Sequence, residues 1–116
     1  LDGSSAAEQY LKERYAEVEP GKIVDLEYSY KEKLDHYLEL KEQIKTLQEI
    51  ARQTENELKN ELKDAEIGIV KNYQVNWKPV TQNRVDTKVL KEKYPNIYQE
   101  VLKNTTYRKF SVKELT

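Results

Sequence analysis

The stretch EIGIVKNYQVNWK, residues 66–78, decides the fold of the second half of this chain. Its second part, residues 73–77, alternates apolar and polar side chains, which is typical of a β-strand with one apolar face. Its first part, residues 66–70, can pair with the second across Lys71 and Asn72, a connection of the length that β-hairpins use. The pattern therefore predicts two antiparallel strands joined by a two-residue turn.

Downstream of this hairpin, the sequence predicts two short helices and a third strand. Asp86 can cap the first helix, and Pro95 suits the first turn of the second helix. Residues 105–112 alternate again and predict a terminal strand. Residues 67–116 are thus predicted to form a small ββααβ unit, an antiparallel sheet with two short helices.

Upstream, residues 1–66 are predicted to be helical. Ser4 or Ser5 can cap a short first helix, with Glu8 at capping-box spacing after Ser5. From about residue 26 to residue 65 there is neither Gly nor Pro, and apolar residues recur every seven positions. This is helical periodicity over about 40 residues, or about 60 Å. The interaction stripe that we single out on this helix comprises Tyr37, Ile44, Leu47 and Leu58.

A helix of that length cannot bury an apolar stripe inside a small globule, so it needs another helix alongside. The sequence leaves open whether the long helix belongs to a helical hairpin or to a coiled coil. Together the two halves predict the α+β class. At 116 residues the chain is one domain at most, with a modest core.

The composition excludes several classes of protein. There is no cysteine, which excludes disulfides and thiolate metal sites and fits a cytoplasmic location. No run approaches the about 20 apolar residues of a membrane helix, so we expect no membrane partner. The chain begins at Leu1 and contains no Met, so we expect it to be cut from a longer protein.

The charge is divided unevenly along the chain. Residues 67–116 hold ten basic and four acidic side chains, a net charge of +6. Residues 1–66 hold ten basic and seventeen acidic ones, a net charge of −7. The basic half can meet a polyanion, whereas the acidic half would be repelled by one. Two ordinary surfaces that partly compensate each other are an equally simple interpretation.

Seven basic side chains of the second half are candidates for contacts with nucleic-acid phosphates. Its tyrosines and Trp77 can either stack on bases or form the apolar core of the unit, and alternation favours the core. Arg108 alternates with Phe110, so it can point inward, where it needs an acidic or a carbonyl partner. A structural ion pair is its favoured role and a phosphate contact the second. The candidate phosphate contacts are Lys71, Lys78, Arg84, Lys88, Lys91, Arg108 and Lys109.

Acid-x-lysine triplets resemble part of a nuclease motif, and the three that begin at Glu57, Glu61 and Asp86 are assigned no catalytic role. Two of them, which begin at Glu57 and Glu61, lie within the long helix, where the acid and the lysine face different directions. The third begins at Asp86, for which helix capping is the simpler explanation. His36 is the only histidine, and no second ligand stands beside it. We therefore predict no catalytic residue and no metal ligand in this chain.

The order of these segments resembles the C-terminal part of the YqaJ viral recombinase family, phage-type exonucleases related to the lambda exonuclease. In that family a long charged helix precedes an Ala-Glu-hydrophobic-Gly step, a Trp-Lys strand, an Asp-Thr/Ser-Lys helix, a Pro-x-hydrophobic-Tyr helix and a final Arg-x-Phe strand. The resemblance covers nearly the whole chain. The matching segments here are Ala65-Glu66-Ile67-Gly68, Trp77-Lys78, Asp86-Thr87-Lys88-Val89-Leu90-Lys91, Pro95-Asn96-Ile97-Tyr98 and Arg108-Lys109-Phe110.

The resemblance implies a parent protein that is a Mg²⁺-dependent exonuclease acting on double-stranded DNA in phage recombination. The catalytic residues of that family belong to a PD-(D/E)xK core, which we place upstream of Leu1. This chain would then be a non-catalytic accessory domain that needs no cofactor and assists DNA engagement or assembly. The alternative is a coiled-coil module that joins copies of the protein, or that docks a partner such as a single-strand annealing protein.

Overall fold

The computed structural model describes residues 1–115. Its elements in chain order are α1 (Ser5–Arg14), α2 (Tyr30–Leu62), β1 (Ile67–Val70), β2 (Tyr73–Asn76), α3 (Thr87–Lys93) and α4 (Pro95–Val101). A long helix, a two-stranded antiparallel sheet and two short helices make this an α+β chain, as predicted. Contacts group residues 1–36 and 103–115 into one compact unit and residues 37–102 into another.

The first unit contains α1, whose two ends are held by polar contacts. The hydroxyl of Ser4 accepts a hydrogen bond from the Ala7 backbone at 3.1 Å, so Ser4 is the N-cap. The Asp2 carboxylate accepts hydrogen bonds from the hydroxyl and the backbone of Ser4, and these bonds lower the pKa of Asp2. Because Ser4 is the cap, Glu8 does not hold the capping-box position that we expected from Ser5.

The long helix α2 has 33 residues, or about 50 Å of length. It starts four residues later and ends three residues earlier than the sequence predicts. Turns at residues 27–31 precede it, and Lys63 ends it by taking a left-handed backbone conformation with φ 54°. Near its start Lys31 donates a hydrogen bond to Asp35 at 2.9 Å, and this bond raises the pKa of Lys31.

The hairpin forms with the predicted register. Val70 pairs with Tyr73, and Ile67 pairs with Asn76. The Trp77 backbone also donates to the Glu66 carbonyl at 2.8 Å, which adds one more pair to the ladder. One face of the hairpin therefore carries residues 66, 68 and 70 with their partners 77, 75 and 73.

The prediction of a third strand is wrong. Residues 105–112 form no strand and pair with neither β1 nor β2. Alternation marks a strand only when a neighbouring strand offers backbone partners, and this segment has found none. The sheet of the described chain therefore has two strands, so ββααβ is corrected to ββαα.

No residue in positions 1–115 is buried. The face formed by Tyr73, Val75 and Trp77, which we expected to be core, is at best half-covered, because Val75 is half-buried and the other two are exposed. Leu62, Gly68 and Val75 are the half-buried residues at that point. In the same range no helix is both long and apolar enough to cross a lipid bilayer.

Candidate nucleic-acid interface

The end of α2 packs on one face of the hairpin. A Cβ atom added at Gly68 would lie 2.7 Å from the Cδ2 atom of Leu62, so glycine permits this close approach. Farther out on the same hairpin face, the Lys59 ammonium lies 5.3 Å from the centre of the Trp77 ring. That distance is within the range of a cation–π interaction. Two contacts thus join the helix end to the hairpin.

A shallow cavity lies at this helix–hairpin junction. Trp77 remains 48% exposed there, so one part of its ring is open to solvent. With Lys59, the junction carries three lysines and two acids, a small positive balance. An exposed indole beside ammonium groups can stack on a base while the lysines meet a phosphate. The cavity is lined by Lys63, Asp64, Ala65, Glu66, Trp77, Lys78 and Pro79.

Three of the predicted phosphate contacts lie in and after the hairpin. Lys71 occupies the first turn position with φ 50° and is exposed. Lys78 follows β2 and lines the junction cavity. Arg84 lies in the loop before α3, where its guanidinium donates to the Gln82 side-chain oxygen at 2.7 and 3.1 Å. All three side chains are exposed to solvent.

Two more lie on α3. The Asp86 carboxylate caps this helix by accepting a hydrogen bond from the Val89 backbone at 3.1 Å, as predicted. Lys88 and Lys91 follow three residues apart, so they lie on neighbouring parts of one helix face. The Lys91 ammonium lies 6.0 Å from the centre of the Tyr98 ring on α4. The α3–α4 pair thus presents lysines next to a half-buried tyrosine.

Arg108 and Lys109 belong to the other unit. The Arg108 guanidinium donates a hydrogen bond to the backbone carbonyl of Tyr15 at 2.9 Å, at the C-terminal end of α1. The ion pair that we favoured for Arg108 is therefore replaced by a carbonyl contact. The reason is that the last carbonyls of a helix have no partner within it and carry partial negative charge. Lys109 is exposed in an irregular segment.

The acid-x-lysine triplets occupy the positions expected of structural residues. Glu57 and Glu61 lie within α2, where Glu57 accepts a hydrogen bond from Gln53 at 3.4 Å. The carboxylate of Asp86 is engaged in capping α3. Between residues 1 and 115 no three His, Asp or Glu side chains come together as metal ligands would. The residues that are present therefore do not fit a Mg²⁺ site, and no metal-dependent step is derived for them.

Lys59 and Lys63 are the site residues that sequence reasoning missed. Lys59 lies in the last turn of α2 and Lys63 directly follows the helix, and helical periodicity treated both as part of a solvated face. A usable signal was present in the chain, because only four residues, 63–66, separate the helix from the hairpin. So short a connection holds the last helical turn close to the first strand.

The fold and the site define a class of protein: an α+β module in which a long helix carries a hairpin and two short helices with exposed lysines. The chain is 53% identical, over all of its 116 residues, to a protein of Bacillus subtilis (strain 168) that is named uncharacterized protein YqaJ. It is thus related to YqaJ, and it spans 36% of that protein's length. No family model matches the chain. No solved structure matches it.

Proposed function

We propose that this chain is the C-terminal accessory module of a phage-type DNA exonuclease used in recombination, and that it engages DNA without cutting it. The relationship to YqaJ and the order of the segments quoted above support the link to that family. The observation that carries the DNA-binding part is the junction at Trp77, where the Lys59 ammonium lies over a half-exposed indole and Lys63 and Lys78 line the same cavity as Trp77.

The distribution of charge supports a role in engagement. The candidate side chains on the hairpin and on α3 are exposed, so no folding contact has to be broken before they reach a phosphate. Most of the acidic side chains of residues 1–66 lie before Lys59, so the net negative charge of that half is not concentrated at the junction. Such a module adds affinity and orientation to an enzyme whose metal-binding residues lie elsewhere.

Binding is tested with a fluorescently labelled DNA duplex and a single strand of equal length, by anisotropy at about 50 mM and about 200 mM salt. We expect weak binding that disappears at the higher salt, because each phosphate contact releases a counterion. Trp77 is the only tryptophan, so quenching of its fluorescence by the single strand reports stacking directly.

A matched pair of triple variants separates a specific face from net charge. Lys71→Ala, Lys78→Ala and Lys88→Ala together should lower the salt slope by about 0.9 for each phosphate that the protein no longer neutralises. Lys12→Ala, Lys22→Ala and Lys45→Ala remove the same charge from the acidic half and should leave binding nearly unchanged. Equal weakening of binding in both variants, or no binding by the unaltered chain at low salt, would overturn the proposal.

The accessory role has its own test. The purified chain should not degrade linear duplex DNA when Mg²⁺ is added, because residues 1–115 gather no carboxylate cluster. Mg²⁺-dependent degradation that persists through repeated purification would show that the chain is itself catalytic. The parent enzyme's use of Mg²⁺ and a single-strand annealing partner both stay predictions.

A further inference from the structure

The helix–hairpin junction brings an aromatic ring, basic groups and a carboxylate together in one cavity. Trp77 is 48% exposed there, and the Lys59 ammonium lies 5.3 Å from the centre of its ring. Lys78 and Glu66 line the cavity beside the indole. All of these residues belong to the compact unit of residues 37–102, so the cavity is complete within that unit.

The lining of the cavity favours a nucleotide over an apolar segment of protein as its occupant. Its volume of about 400 Å³ is in the range of small-ligand sites. Two lysines and two acids line it next to the indole, and an apolar cover would leave these charges without partners, which is costly. A nucleotide offers a phosphate to the lysines, a flat base to the indole and hydrogen-bond donors to a carboxylate.

Stacking on Trp77 requires a base that is not part of a duplex. Within a double helix both faces of each base are covered by the neighbouring bases, so an indole cannot lie against them. In a single strand the bases can turn outward and stack on an aromatic side chain. Because every base has such a face, stacking selects unpaired nucleotides but not their sequence.

Glu66 is placed to contact the edge of a base that lies on Trp77. The Trp77 backbone donates to the Glu66 carbonyl at 2.8 Å, so the two residues stand opposite each other in the hairpin. The Cβ atoms of residues opposed in this way are about 5 Å apart. The Glu66 carboxylate is exposed and has no hydrogen-bond or ion-pair partner among residues 1–115. It is therefore an available acceptor beside the ring.

A carboxylate distinguishes bases by the donors that they carry, because an ionised carboxylate only accepts hydrogen bonds. Guanine, cytosine and adenine each have an amino group, whereas thymine has the carbonyl oxygen O4. Guanine also has a ring N–H next to its amino group, so one carboxylate can accept two parallel hydrogen bonds from it. Thymine brings an acceptor against an acceptor.

We propose that the junction binds an unpaired base stacked on Trp77, and that Glu66 makes this site prefer guanine and disfavour thymine. This selectivity rests on the DNA engagement proposed above and specifies which part of the DNA the junction contacts. The lysines supply affinity for the flanking phosphates, which is independent of sequence.

Stacking is tested by anisotropy with labelled DNA of about 12 nucleotides at about 50 mM salt. The probes are a single strand that contains isolated guanines and the duplex of the same sequence. Trp77→Leu keeps an apolar side chain but has no ring, so it should weaken binding of the single strand at least about fivefold and change duplex binding little. Trp77→Tyr keeps a ring and should retain most of the affinity for the single strand.

The base preference is tested with the same guanine-containing strand and a strand of thymine alone. We expect the unaltered chain to bind the guanine-containing strand about fivefold more tightly. Glu66→Gln should abolish this preference, because an amide can also donate to O4 of thymine. Asp64→Asn removes the same charge from the same cavity, and it should strengthen binding of both strands and keep the preference.

The outcomes separate the base site from the broader function. No binding of any DNA would overturn both proposals. Binding without a preference for guanine over thymine, a preference that survives Glu66→Gln, or equal loss of single-strand and duplex binding in Trp77→Leu would overturn the base site alone. Glu66→Gln leaves the ring in place, so it is decisive even if Trp77→Leu disrupts the hairpin.

Discussion

Three side chains form hydrogen bonds with backbone groups at helix ends that have no partner within the helix. Ser4 and Asp86 accept hydrogen bonds from the first turns of α1 and α3, and Arg108 donates to the Tyr15 carbonyl where α1 ends. These contacts follow from the four unpaired donors or acceptors at each end of a helix. Such a contact can be predicted from the sequence when its two residues are close in the chain, as Asp86 and Val89 are. It cannot be predicted when they are 93 positions apart, as Arg108 and Tyr15 are.

Removal of one such cap is the residue-scale prediction. Asp86→Ala should cost about 1 kcal/mol of α3 stability, because the Val89 amide loses its acceptor and the helix start loses a favourable negative charge. Amide exchange and backbone chemical shifts of residues 87–93 measure the loss. Asp25→Ala removes the same charge from an exposed irregular segment and should leave α3 unchanged. Equal effects of the two variants would contradict the capping role.

At the scale of elements, single backbone conformations decide where the helix and the strands end. Lys63 ends α2 and Lys71 begins the hairpin turn, and both have positive φ although neither is glycine. Such a conformation costs an ordinary residue about 1–2 kcal/mol. The position of the turn was predictable from the length of the gap between the strands. The early end of α2 was not, because nothing in Leu62-Lys63-Asp64 marks a stop.

The hairpin turn at Lys71 supplies the prediction at the scale of elements. Lys71→Asn and Lys71→Val both remove the charge, but Asn tolerates the left-handed region and a β-branched residue does not. The Asn variant should therefore populate the hairpin better, by about 1 kcal/mol relative to the Val variant. Exchange of the Trp77 amide, which donates to Glu66, measures the difference. The reverse order of the two variants would show that the turn conformation is not what holds the hairpin.

At the scale of the whole molecule, the main feature is the large solvent-accessible surface of the chain. A chain of 13.8 kDa that exposes 12329 Å² buries only about six-tenths of the area that a compact protein of this size buries on folding. Lacking any buried residue between positions 1 and 115, it relies on local contacts such as that of Leu62 with Gly68. Little buried apolar area is therefore available to stabilise the described part of the chain.

Denaturant unfolding tests whether the chain buries as little surface as the structure shows. In dilute solution the urea m-value should be about six-tenths of that of a compact protein of equal length, because m follows the area exposed on unfolding. If copies of the chain associate through the interaction stripe, the midpoint should move to higher urea as the concentration is raised. A full-sized m-value with a midpoint that does not depend on concentration would indicate a self-sufficient core.

The sequence by itself determined the local structure: the hairpin across Lys71-Asn72, the capped start of α3, the proline start of α4 and the long apolar row of α2. These follow from short-range rules of capping, turn length and periodicity. Only the tertiary structure decided that residues 105–112 form no strand, that Trp77 is half-exposed beside Lys59, and that Arg108 meets a carbonyl. Each of these depends on which distant backbone or surface is available as a partner, and short-range patterns carry no record of that.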